Sequence, residues 1–238
     1  MALDFRGQVV VVTGGTGYLG TSVCRAFLEA KATVVAVYLF DRELPYFRNG
    51  LGAQAKKVVL EKADVSKEGE TDRVVAGVLR RFKRIDVIVN TVGGYMSGRV
   101  EDIASEDFDQ AIALNLKSAF LASRAVVPGM RKAKHGKIVS VSTRTALQGE
   151  EEAFLYSASK SGVNRLTEAL AEELMADNIQ VNCVEPSVMD TPANRKAMPK
   201  ANFSQWPSTD AVARVIRWLC SGEADPISGA AIPVYGRA

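Results

Sequence analysis

The sequence predicts one doubly wound α/β domain over residues 1–238, a mainly parallel seven-stranded sheet with helices on both faces. Three observations predict it. Seven short apolar runs recur, most of them rich in Val and Ile and without polar alternation, as strands buried on both faces are. Segments of helical pattern separate them and are long enough for right-handed crossovers. The length, 238 residues, suits one large α/β domain, and no Pro/Gly/Ser-rich linker, repeat or low-complexity stretch divides it.

The runs are Val9–Val12, Thr33–Leu39, Lys57–Leu60, Ile85–Val89, Lys137–Val141, Ile179–Val184 and Ala231–Val234. Leu19–Ala30 and Glu68–Phe82 have helical pattern, and Ser105–Met130 holds one long helix or two. Tyr156–Ala176 is clearer, with Val163, Leu166, Leu170 and Leu174 at helical spacing. Residues 186–207 carry Pro186, Pro192, Pro199 and Pro207, which argue against one continuous helix. A loop of that length is often a lid or substrate-binding element. Ligands on such sheets bind beyond the carboxyl ends of the strands, so the chemistry is sought just after each run.

Composition narrows the function. The net charge of +3 is spread along the chain with no basic block, which argues against nucleic acid. No run approaches the roughly 18 apolar residues of a membrane span, and Met1–Arg6 has no signal-peptide core. Cys24, Cys183 and Cys220 are isolated in apolar surroundings and read as buried thiols in a reducing compartment. These features predict a cytoplasmic protein. The one histidine, His135, argues against a His-based metal site and a Ser-His-Asp triad.

Two motifs carry chemistry. The first strand runs into Thr13-Gly14-Gly15-Thr16-Gly17-Tyr18-Leu19-Gly20. Such a turn lets backbone approach a pyrophosphate, which the following helix N-terminus attracts. Tyr156 and Lys160 stand four residues apart on one helix face. A free tyrosine, with a pKa of about 10, is a poor acid–base group near neutrality. A nearby ammonium favours the phenolate, which suits proton exchange with an alkoxide.

Together the motifs resemble the short-chain dehydrogenase/reductase family over nearly the whole chain, in its shorter single-domain, 3-oxoacyl-carrier-protein-reductase-like form. Tyr156 and Lys160 match its Tyr-x-x-x-Lys signature. Asn90-Thr91-Val92-Gly93 resembles its Asn-Asn-Ala-Gly, Asn115 its catalytic-helix asparagine, and Asp64-Val65 the pair that meets adenine. The segment Pro186-Ser187-Val188-Met189-Asp190-Thr191 resembles the stretch beside the nicotinamide, and Gly229 to Gly236 the closing motif. The resemblance implies a Rossmann-type fold, NAD(P)(H) and a carbonyl or alcohol substrate. It makes Tyr156 the general acid/base and Lys160 the group that binds nicotinamide ribose and lowers the Tyr156 pKa. Asn115 would order a relay water, and a Ser or Thr would polarise the substrate oxygen. Counting back thirteen positions from Tyr156 reaches Thr143, with Ser142 then facing the nicotinamide or the sheet.

Gly14, Thr16, Gly17, Tyr18 and Leu19 would hold the dinucleotide phosphates, and Tyr38 would lie at the end of the second strand. An acid there would favour NAD. Tyr38 and Leu39 are not acidic and Asp41 comes later, so the sequence favours NADP(H), with Arg42 as phosphate partner. The family also implies a homo-oligomer, a dimer or tetramer, paired through the helices within 105–130 and 156–176. Tyr18 stands where the shorter members have glycine, and the resulting T-G-x-x-G-x-x-G spacing resembles the extended, epimerase-rich members. An epimerase or dehydratase with bound nicotinamide is therefore one alternative, and a non-catalytic cofactor-binding regulator another. Glu150-Glu151-Glu152 reads as a solvated loop before it reads as an acidic rim that disfavours anionic substrates.

Overall fold

The computed structural model describes residues 3–237. Seven strands form one sheet: β1 (Val9–Thr13), β2 (Thr33–Tyr38), β3 (Val59–Lys62), β4 (Val87–Asn90), β5 (Gly136–Val141), β6 (Ile179–Pro186) and β7 (Ala231–Val234). Their order is β3-β2-β1-β4-β5-β6-β7, with every pairing parallel. The four strands β1, β4, β5 and β6 are buried almost throughout, whereas edge strands β3 and β7 are half-buried. That contrast is why the central runs lack polar alternation.

Side chains divide by period two. Val10 and Val12 face one layer with Val23 and Phe27 of α1 (Tyr18–Glu29) and Ile216 and Leu219 of a late helix, Thr209–Leu219. Val9 and Val11 face the other layer, with Val74 and Val78 of Glu68–Phe82, Met130 of Ser118–Ala133 and Leu174 of Phe154–Leu174. In chain order the helices are α1, α2 (Leu44–Leu51), α3 (Glu68–Phe82), α4 (Ser105–Ile112), α5 (Ser118–Ala133), α6 (Phe154–Leu174), α7 (Pro192–Ala197) and α8 (Thr209–Leu219). The run expected over 105–130 is two helices joined by a π-helical turn, Ala113–Lys117. Residues 186–207 are broken as the prolines require, holding α7 and a 3-10 turn, Phe203–Gln205. Among the described residues no helix is long and apolar enough to cross a membrane.

The strand order reverses between β1 and β4. A crevice opens there beyond the carboxyl ends, the usual ligand position on a doubly wound sheet.

Candidate active site

The turn from Thr13 to Gly20 joins β1 to α1. A Cβ on Gly20 would lie 2.1 Å from the Gly14 carbonyl oxygen. Only a bare α-carbon lets the first turn of α1 close onto the strand end. No side chain caps α1, so its leading amides and its positive dipole end stay available to an anion. Tyr18 is accommodated because its ring packs edge-on against Tyr46, with centroids 4.8 Å apart. The Leu19 side chain points into the core. Thr16 is buried, and its hydroxyl donates to the Glu43 carboxylate.

Gly14 and Gly17 form one wall of a cleft of about 170 Å³. Tyr38, Asp64, Val65 and Gly93, candidate cofactor residues from the sequence, line it with Leu39, Phe40 and Glu43. The volume falls below the roughly 300–1,000 Å³ of a pocket that encloses a whole ligand, so the cleft suits one end of an extended molecule. The Asp64 carboxylate accepts from the Ser66 backbone N–H at 3.0 Å and from its hydroxyl at 2.6 Å, fixing the loop after β3. Arg42 is not among the lining residues; its guanidinium carbon sits 4.4 Å from the Phe40 ring centroid. A larger cavity of about 350 Å³ lies before the amino end of β1, around Phe5, Gln8 and Ser221, and holds none of the motif residues.

The second group lies beyond β4 and β5. Asn90 is buried and donates to Ser123 at 3.1 Å and Ser140 at 3.2 Å, bracing β4 against α5 and β5 instead of lining the cleft. Asn115 projects from the π-helical turn. Its amide donates to the Gly94 carbonyl at 3.1 Å and its oxygen accepts the Gly94 N–H at 2.9 Å. Lys160 on α6 is buried and donates to the Val141 carbonyl at 2.7 Å. A Cβ on Gly93 would lie 2.8 Å from both Asn115 Oδ1 and Lys160 Nζ, so only a bare α-carbon lets these two groups pack directly behind this residue of the cleft wall.

Thr143 and Ser142 diverge as neighbouring strand residues should. The Ser142 hydroxyl donates to the Lys160 carbonyl at 3.2 Å, underneath α6. The Thr143 hydroxyl acts on the Tyr156 phenol. Tyr95, which sequence reasoning missed, packs against Tyr156 with ring centroids 5.1 Å apart. Burial raises the Tyr156 pKa above its ordinary 10, Thr143 pulls it down, and Tyr95 and Glu150 add to the rise. Burial lowers the Lys160 pKa from 10.5 to about 8. Lys160 is not among the groups that shift the Tyr156 phenol in this arrangement. Desolvation of the phenol dominates, and the amine is directed to the Val141 carbonyl.

The end of β6 supplies the remaining predicted residues. Pro186 closes the strand, and the Ser187 hydroxyl donates to the Tyr235 carbonyl at 2.8 Å. Met189 packs against the α1/α8 layer. Thr191 caps α7, its hydroxyl accepting the Asn194 N–H at 3.1 Å.

Comparison with known proteins bears on this arrangement. A family model described as short chain dehydrogenase matches residues 8–202. The chain is 32% identical to a 3-oxoacyl-acyl-carrier-protein reductase of Thermotoga maritima, over 98% of each chain. It is 35% identical to a cyclopentanol dehydrogenase of a Comamonas species, over 80% of this chain and 76% of that one. In fold it is similar to ElxO, solved with NADP bound, at a TM-score of 0.89 and 24% identity over 96% of this chain and 97% of that one.

Proposed function

Because the chain belongs to the short-chain dehydrogenase family, we propose that it interconverts a small-molecule carbonyl and a secondary alcohol with NAD(H) or NADP(H). The carrying observation is that Asn115 and Lys160 pack against Gly93, a residue of the cleft wall that also holds the glycine turn, while Thr143 acts on Tyr156, one helical turn before Lys160 on α6. The residues fit a dinucleotide. The close packing of Gly20 and the uncapped start of α1 leave backbone amides to meet a pyrophosphate. Gly14, Thr16 and Gly17 would hold it there, with Tyr38, Asp64 and Val65 at the adenosine end. Lys160, Pro186, Ser187, Met189 and Thr191 would hold the nicotinamide end. The bound dinucleotide supplies or takes up a hydride.

The chain's own residues handle the proton. Tyr156 is mostly a phenol near neutrality, since burial raises its pKa. It therefore stands ready to give a proton to a developing alkoxide and to take one back in the reverse direction. Thr143 donates a hydrogen bond to the same oxygen. Asn115 holds the Gly93–Gly94 backbone under the reacting centre. Mostly charged near neutrality, Lys160 sits below it and binds ribose.

The test is the reduced-nicotinamide absorbance while a carbonyl panel is added. Consumption of the reduced cofactor supports the proposal. Product without net consumption would make the protein an epimerase or dehydratase, and binding without product a regulator. Phe108, Phe120 and Met175 are exposed on α4, α5 and the turn after α6, which supports pairing of these helices in a homo-oligomer. Light scattering at the mass of one 25.6 kDa chain would contradict that. Three buried free cysteines fit a reducing, cytoplasmic setting.

A further inference from the structure

We infer that Glu43 makes the cleft selective for NAD(H), accepting a hydrogen bond from the adenosine ribose and excluding a 2′-phosphate. The inference rests on the reading of this cleft as a dinucleotide site. It reverses the preference drawn from the sequence, which depended on the lack of an acid at the end of β2 and on Arg42.

The path of the chain after β2 is the reason. The strand ends at Tyr38, and the chain then enters a 3-10 turn, Asp41–Glu43. Successive residues of such a turn point about 120° apart, at three residues per turn. Arg42 and Glu43 therefore leave the turn in different directions. Glu43 lines it, while Arg42 stacks on Phe40 outside the lining. Asp41 points elsewhere again and pairs with Lys62, so the nearest lysine of β3 is also engaged away from the cleft.

Glu43 is held in place. One carboxylate oxygen accepts the hydroxyl of Thr16, a buried residue of the glycine turn. Among the described residues its other oxygen has no hydrogen-bond partner. The carboxylate is thus fixed beside the phosphate-binding turn with acceptor capacity left for a ribose hydroxyl. Among the described residues no Lys or Arg lines the cleft; its charged lining residues are Glu43 and Asp64. A 2′-phosphate carrying up to about two negative charges would meet carboxylates in the lining, with the nearby Arg42 turned onto the Phe40 ring, and partial desolvation would sharpen the repulsion. A neutral ribose meets acceptors alone, which is what two hydroxyl donors need.

The experiment is calorimetric or fluorescence titration of the full-length protein with NADH and with NADPH, on the wild type, Glu43→Gln and Arg42→Ala. Circular dichroism confirms that each variant is folded. The wild type is expected to bind NADH at least about tenfold more tightly than NADPH. Glu43→Gln is expected to bring the two affinities within about threefold, by weakening NADH and strengthening NADPH. If Glu43→Gln fails to fold, Thr16→Val, which frees the same carboxylate, is expected to narrow the ratio too. Equal or tighter binding of NADPH by the wild type overturns the inference and leaves the dinucleotide reading intact. A ratio unchanged in Glu43→Gln, or NADPH binding lost in Arg42→Ala, overturns it as well. Binding of neither cofactor overturns the dinucleotide reading and this inference with it.

Discussion

Replacing Lys160 by Met removes a cation buried against a backbone carbonyl. The native lysine releases its proton near pH 8, whereas the unfolded chain keeps it up to about 10.5. Between those values the unfolded state binds more protons, so this group makes stability rise with pH. Below about pH 8 both states are charged and the folded protein carries the full desolvation cost. Each tenfold change in an acidity constant is worth about 1.4 kcal/mol, so the total is about 3 kcal/mol. Of that, roughly three quarters is recovered between pH 7 and pH 10. The variant lacks the group and lacks this slope, although loss of the Val141 contact adds a pH-independent offset. Urea unfolding of the cofactor-free wild type and variant, at both pH values, isolates the effect as a difference of differences. The wild type should gain about 2–3 kcal/mol on the variant as pH rises. A difference that stays flat within about 0.5 kcal/mol, or changes in the opposite sense, would refute the account of Lys160 as a desolvated cation.

Two further outcomes follow from the site geometry. Thr143→Val should cripple turnover by about 100-fold or more while Ser142→Ala stays within several-fold, measured with one substrate; the reverse pattern would place the polarising hydroxyl on Ser142. Gly93→Ala puts a methyl 2.8 Å from Asn115 Oδ1 and Lys160 Nζ and should cost about 1–3 kcal/mol of stability, with weakened cofactor affinity. Unchanged melting and affinity would show that the two side chains yield freely.

The central strands were legible because burial on both sheet faces writes itself as uninterrupted Val and Ile. Helix α8 was equally legible and was overlooked: Val212, Ile216 and Leu219 have helical spacing, and Ser208 caps it by accepting the Ala211 N–H at 3.1 Å. The short α2 carries too few turns to show a pattern. In the site, the glycine turn and the Tyr156/Lys160 pair are each readable because their spacing lies within one turn or one helix, and Thr143 is reached by counting back from Tyr156. Glu43 and Tyr95 are not, since a 3-10 turn and an irregular loop carry them to the cleft. Spacing also places a side chain's root without its tip. Arg42 lies at a position that could reach the cleft and turns to Phe40 instead, and the Lys160 amine takes a carbonyl below the phenol.

The central claim is that Tyr156 exchanges the proton of the carbonyl/alcohol couple. Its most direct test is Tyr156→Phe, assayed for NADH and NADPH binding and for turnover of any carbonyl that the wild type reduces. Cofactor binding should persist while turnover falls by about 100- to 10,000-fold. Turnover within about threefold of wild type, with binding intact, would contradict the account.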